Sequence, residues 1–285
     1  MQSASAPAGA ATQPKKILVA MSGGVDSSVV AALLVRDGHH VEGAFMKNWS
    51  DEADACTGGC GWQDERADAL RVAATLGIPL HTFDFESEYR ARVMDYMVRE
   101  YAAGRTPNPD VLCNKEVKFD LFLRAAEERG FDMIATGHYA RVVHAGEAVP
   151  ASQVPGTKVP ASLGTPLSPR QMLLAGRDAN KDQSYFLHRL SQQQLAKTLF
   201  PIGDMEKPEV RRLAREFALP TAAKKDSQGI CFIGQVDLPE FLRTKIAQRP
   251  GAFVTPAGEK VGEHQGIAPF TIGQRHGLGM GGGDP

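Results

Sequence analysis

Residues 16 to 28 read Lys16-Ile-Leu-Val-Ala-Met-Ser-Gly-Gly-Val-Asp-Ser-Ser28. Lys16-Ile-Leu-Val-Ala-Met21 is a short apolar run, and from Val25 to Arg36 apolar side chains recur at helical spacing at Val29, Ala32 and Leu33. The order is strand, glycine turn, helix. Gly23 and Gly24 remove the side chains that would hold a phosphate off the backbone, and the unpaired amides of a helix start attract negative charge. Ser22, Ser27 and Ser28 add hydroxyl donors. Asp26 is placed either to hold a magnesium ion on pyrophosphate or to cap the helix. No lysine follows the glycines, so the loop does not grip terminal phosphates as a Walker A loop does.

The pattern continues outward. Val41 to Met46, Ile78-Pro-Leu-His-Thr-Phe-Asp-Phe85 and Asp132-Met-Ile-Ala-Thr-Gly-His138 read as strands, and Asp64 to Leu76, Glu86 to Ala103 and Glu116 to Arg129 read as helices. Tyr89, Val93, Tyr96, Met97 and Tyr101 share one stripe of the second helix, which reads as core. Alternation of this kind predicts an α/β fold with a parallel sheet. Ligands of such sheets lie beyond the carboxyl ends of the strands, which brings Gly137 and His138 toward the loop at 22 to 27 and leaves Met46 at a strand end where it packs either in the core or on adenine. On the Ser-Gly-Gly-Val-Asp-Ser loop the chain resembles the PP-loop ATP pyrophosphatases, a Rossmann-like, adenine-nucleotide-hydrolase-like fold. That resemblance implies cleavage of ATP between its α and β phosphates and transfer of AMP to a carbonyl oxygen.

The chain has 285 residues, of which 42% are hydrophobic, enough for two domains with a real core. Its 32 Lys and Arg against 33 Asp and Glu leave a formal charge of −1, so a generic polyanion binder is excluded and any nucleic acid must meet a local basic patch. Lys115, Lys118, Lys224, Lys225 and Arg275 are candidates for such a patch. No apolar stretch reaches membrane-spanning length, and residues 1 to 14, without a charged start followed by an apolar run and without arginine, give no expectation of a targeting segment. They read as a disordered tail. A domain over 15 to 219 is expected, interrupted by a Pro, Ala, Gly, Ser and Thr rich insertion at about 145 to 169, followed by a smaller mixed α+β domain over 220 to 285. The first ends after a helix Pro208 to Phe217; the second holds a helix near Pro239 to Ala247 and a hairpin around Pro256-Ala-Gly258.

Four cysteines are too few for a disulfide scaffold and favour a reducing, cytoplasmic setting. Cys56 and Cys60 have a spacing that could open a zinc site, but no second ligand pair follows, and no metal centre is expected there. Cys113 lies in Arg105-Thr-Pro-Asn-Pro-Asp-Val-Leu-Cys-Asn-Lys115. The two prolines read as stiffening a loop that runs into a helix near Asn114, which places Cys113 at a helix amino end. The helix dipole and Lys115 would then favour thiolate, with Asp110 close by for proton transfer. A buried, inert cysteine is the alternative. Cys231, between Ile230 and Phe232 and bracketed by Gly229 and Gly234, reads by itself as structural.

The loop at 22 to 27, Arg105 to Lys115, Ala135-Thr-Gly-His-Tyr139, Asn180-Lys-Asp-Gln-Ser-Tyr-Phe186, Lys224 to Gly234 and Gly273-Gln-Arg-His-Gly-Leu-Gly279 together resemble the tRNA-uridine 2-sulfurtransferases of the MnmA type, from about Lys15 to Gly282 apart from the insertion. The resemblance implies that ATP, with Mg2+, adenylates the carbon-2 oxygen of a wobble uridine and that a cysteine persulfide replaces it with sulfur. By the same resemblance Cys231 carries the persulfide, Cys113 is its partner and Asp110 the acid or base. Nucleotide is implied at Ala20, Met21, Ser22, Gly23, Gly24, Val25, Asp26, Ser27, Met46 and Gly137. tRNA, with lysine, glutamate and glutamine acceptors expected, is implied at Asn108, Pro109, Asp110, His138, Lys181, Asp182 and Gln183. Lys181 also reads as a solvated charge, and His138 as a satisfied strand-end residue. A persulfide-donating sulfur-relay protein or cysteine desulfurase is the implied partner. Members usually continue into a carboxy-terminal β-barrel, which this chain is expected to lack. Another PP-loop adenylating enzyme, amide-forming or lysine-adding, would need the loop but neither cysteine; a non-catalytic nucleotide-binding module would bind ATP without turnover.

Overall fold

The computed structural model describes residues 13–50, 61–144, 170–226, 238–247 and 249–278. Cys56, Cys60, the proline-rich insertion, Cys231 and the end of the final glycine-rich motif lie outside them. The chain forms two compact units, and neither is one continuous stretch: the first takes residues 1–46, 63–83 and 120–225, the second 47–62, 84–119 and 226–285.

The first unit is organised by a five-stranded sheet in the order β3-β2-β1-β4-β7. These strands are Lys16–Ala20 (β1), His40–Lys47 (β2), Leu80–Asp84 (β3), Met133–Ala135 (β4) and Thr198–Leu199 (β7). β1 pairs in parallel with β2 on one edge and β4 on the other, and β4 pairs in parallel with β7. Ile17, Leu18 and Val19 are completely buried, which is why β1 reads as an unbroken apolar run instead of an alternating one. Helix α1, Val25–Arg36, follows at once and is buried almost all round, with Ser27, Ser28 and Val29 to Leu34 inside. It packs against the helix Lys207–Glu216.

Chain order reverses between β1 and β4, since β2 and β3 build outward on one side and β4 and β7 on the other. That reversal leaves a crevice at the carboxyl ends of β1 and β4. A separate antiparallel pair, β5 (Ala140–Val143) and β6 (Met172–Ala175), follows β4.

Two expected helices differ from their sequence reading. The one starting at Glu86 runs through a π-helical turn, Arg90–Met94, before Asp95–Ala102. The other begins at Pro109, well before Glu116, and continues through a π-helical stretch, Cys113–Leu121, into Phe122–Glu128. The prolines there are not merely loop stiffeners. Pro109 occupies a first-turn position where its missing N–H is no loss, and Asn108 caps the helix by accepting from the amides of Asp110 and Val111 at 3.1 and 3.2 Å.

In the second unit the helix Leu238–Lys245 places Phe241 edge-on to Trp49, and the Arg90 guanidinium lies over the Trp49 ring 4.8 Å from its centre. The expected hairpin is β8, Gly251–Val254, and β9, Lys260–His264. Lys47 binds Asp84 at 3.1 Å and Glu86 at 3.0 Å. Glu86 is held below its ordinary 4.5, first by the Ser50 hydroxyl and then by Lys47. Asp84 is held below its ordinary 3.8, first by the amide of Glu86.

A carboxylate whose folded-state proton affinity is lowered stabilises the fold above its unfolded value, and that contribution disappears as pH falls through the folded value. The protein is therefore expected to lose stability below the ordinary carboxylate values of 3.8 and 4.5. Glu86→Gln should lower stability by about 0.2–1 kcal/mol near neutral pH, because the cluster is partly solvated, and should flatten the acid limb. Urea midpoints measured between about pH 6 and about pH 3 check both effects; an acid limb unchanged by the substitution would remove Glu86 from the explanation.

Candidate active site

The glycine loop lies at the crevice beside β1. Gly23 adopts φ +72°, and a Cβ there would meet the Glu65 carbonyl oxygen at 2.2 Å, so both the backbone conformation and the neighbouring helix require glycine. Gly24 takes the N-cap position of α1. Among the described residues no side chain caps the first-turn amides, which have no intrahelical acceptors and lie at the crevice.

The serines divide. Ser22 is exposed, whereas Ser27 and Ser28 are buried and turn their hydroxyls onto the Gly24 carbonyl at 3.2 and 2.7 Å. Those two hydroxyls bond within the turn, where the sequence reading expected donors for a ligand. Ala20, Met21 and Val25 are buried, and Met21 donates its amide to Ala44. Met46 is buried at the end of β2.

Gly137, just beyond β4, meets the start of α1 directly. A Cβ at that position would lie 2.9 Å from the Ser27 amide nitrogen and 3.1 Å from the Asp26 carbonyl carbon. The same loop delivers Tyr139, whose hydroxyl donates to Asp26 Oδ1 at 2.9 Å. Lys207 Nζ reaches both Asp26 oxygens, at 2.7 and 2.9 Å. Asp178 holds the Lys207 backbone amide at 2.9 Å. From the other side Lys224 donates to the Gly23 carbonyl at 3.1 Å and pairs with Asp68 at 2.6 Å. Asp26 thus does not cap α1 and sits in an internal ion pair that the sequence reading missed. Lys224, expected on a basic surface, braces the loop.

Cys113 departs from its expected position. It lies inside the helix that begins at Pro109 and is 0% exposed. The amino-end argument for thiolate therefore fails, because that end is at Asn108. Lys115, invoked with it, pairs with Glu116 at 2.9 Å. Asp110 is half-buried in the first turn, and Asn108 is exposed.

The tRNA methyl transferase HUP domain matches residues 15–235, and the PRC-barrel domain of the same family matches 239–285. The tRNA-specific 2-thiouridylase MnmA of Stenotrophomonas maltophilia (strain K279a) is 52% identical over 268 residues, covering 94% of this chain and 64% of that protein. The tRNA-specific 2-thiouridylase MnmA of Akkermansia muciniphila is 50% identical over 265 residues, covering 93% and 68%. The chain belongs to the MnmA family. It spans just under two thirds of the Stenotrophomonas protein. Among solved structures, the NMN synthetase from Francisella tularensis is similar with a TM-score of 0.42 and 16% identity, covering 80% of this chain and 72% of that one.

Within this MnmA-family chain, the segments expected to meet tRNA carry structural work of their own. His138 is 8% exposed, bonded through Nδ1 to Thr136 Oγ1 at 2.8 Å and edge-on to Phe200. Asp182 accepts from the Gly176 amide and from the amide and hydroxyl of Ser184. Gln183 exchanges two bonds with Tyr139, its amide donating to the Tyr139 carbonyl and its side-chain oxygen accepting from the Tyr139 amide. Lys181 is half-exposed. Gln183 thereby fixes the tyrosine that holds Asp26. Cys231 lies outside the described residues.

Gly23→Ala is expected to lower stability by about 1–3 kcal/mol, since it combines left-handed strain with an overpacked contact. Urea unfolding measures this, and a loss below about 0.5 kcal/mol would show that the loop and the Glu65 carbonyl separate freely.

Proposed function

We propose that the chain is a tRNA-uridine 2-sulfurtransferase. The carrying observation is the 52% identity to a tRNA-specific 2-thiouridylase MnmA over 94% of this chain. The uncapped amino end of α1 beside Gly24, at the sheet's strand-order reversal, supports an ATP polyphosphate at the same place. The donor set suits it: backbone amides, the exposed Ser22 and the cation of Lys207 for phosphate oxygens, and the Asp26 carboxylate for Mg2+.

A uridine carbonyl oxygen is a poor leaving group. Adenylation of the carbon-2 oxygen of the wobble uridine, with loss of pyrophosphate, converts it into one that departs as AMP. The Cys231 persulfide attacks carbon 2 and AMP leaves. Cys113 thiolate then attacks Cys231 Sγ, so the sulfane sulfur departs with the electron pair as 2-thiouridine and the two thiols are oxidised to a disulfide. A cellular dithiol must reopen it. Asp110 is the acid or base of this sequence, and Asn108 and Pro109 adjoin a base turned out of its stack. Reaction at Cys113 requires exposing a side chain that is completely buried here. His138, Lys181, Asp182 and Gln183 are assigned to tRNA, with tRNAs for lysine, glutamate and glutamine as substrates. The persulfide comes from a sulfur-relay protein or cysteine desulfurase. A cytoplasmic setting fits reducible thiols, and no described helix is long and apolar enough to cross a membrane.

Incubation with ATP, magnesium, a persulfide donor and unmodified tRNA should replace oxygen by sulfur on the anticodon nucleoside, read by mass spectrometry. Cys231→Ser should abolish the exchange while tRNA-dependent pyrophosphate release continues. Pyrophosphate release without sulfur incorporation by the unaltered protein would instead favour another adenylating activity.

A further inference from the structure

The glycine loop has no lysine of its own, yet two lysines from distant sequence converge on it. Lys224 faces the turn's carbonyl and is neutralised by Asp68, so it stiffens the turn. Lys207 is different. It comes from 181 residues downstream of Asp26, its side chain is 13% exposed, and its ammonium spans both oxygens of a carboxylate in the first turn of α1. Three further contacts define its position. Asp178 fixes its amide at the start of its helix, that helix packs along α1, and the Tyr139 ring lies 5.7 Å from the ammonium while its hydroxyl bonds Asp26.

Resting on the proposed ATP site, we infer that Lys207 is the pyrophosphate-binding cation that the glycine loop lacks, and that its ion pair with Asp26 is the ligand-free arrangement of that subsite. In the pair each side chain stands where a ligand of its own charge sign belongs. The carboxylate occupies an anion position on Lys207, and the ammonium occupies a cation position on Asp26. Magnesium pyrophosphate brings both an anion and a cation, so Lys207 transfers to phosphate oxygen and Asp26 to the metal without leaving either charge unpaired. Asp26 is 30% exposed, which gives the incoming ion access.

Calorimetric titration of the full chain with magnesium pyrophosphate and, separately, with AMP tests the assignment. Lys207→Met is expected to weaken pyrophosphate by about 10- to 100-fold, the loss of one charge-assisted bond, and to leave AMP within about twofold. Lys207→Arg should recover part of the affinity. If Lys207→Met unfolds because Asp26 is left unpaired, the neutral pair Asp26→Asn with Lys207→Met removes both charges and should still bind AMP but not pyrophosphate. Unchanged pyrophosphate affinity in these variants, or equal loss of both ligands, overturns the inference and leaves Lys207 a structural counter-ion. Failure of the unaltered protein to bind either ligand overturns the ATP site itself.

Discussion

Strand β1 has a neighbour on each edge and is buried along its length, and the rest of the first unit follows from that constraint. With both edges paired and the interior sealed, its carboxyl end is where the chain must leave the sheet, and it leaves at the point where strand order reverses. The turn made there is tight enough for Gly23 to meet the Glu65 backbone, and the return from β4 is tight enough for Gly137 to meet Ser27. Those two backbone contacts draw the start of α1, the helix beginning at Gly61 and the loop after β4 together around one crevice.

The polar residues at the crevice hold one another. Asp178 orients Lys207, Lys207 and Tyr139 hold Asp26, and Gln183 holds Tyr139. A partly buried carboxylate left alone would be costly, so each member has a structural reason to be present whether or not a ligand is bound. A site built this way couples the glycine loop to the segment around Lys181 to Gln183 through side chains already in contact. It also means that substituting Gln183 or Asp182 displaces Tyr139 or Gly176.

Cys113 shows a different economy. Asn108 and Pro109 start a helix earlier than the prolines suggest, the π-helical stretch carries the cysteine into the interior, and its thiol is shielded from water. Extra-turn segments of this kind are often retained at functional positions, where a register change can alter which side chains face outward.

The sequence by itself determined the strand, glycine turn and helix at 16 to 36, because an apolar run, paired glycines and a 3.6-residue period are local signals. It determined the parallel α/β architecture, from alternating elements, and the approach of Gly137 to the loop, from the rule that such sheets open at their strand ends. Only the tertiary structure decided what surrounds Asp26. Lys207 is an unremarkable first-turn lysine beside a proline, and nothing local distinguishes it until helix packing brings it across 181 residues. The inward hydroxyls of Ser27 and Ser28 and the internal bonding of Gln183 were likewise beyond a linear reading, and a linear reading left open the choice between a reactive and a buried Cys113 and between an exposed and an internally bonded His138. Motif spacing records which residues are near along the chain, whereas exposure and charge pairing depend on which distant elements pack against them.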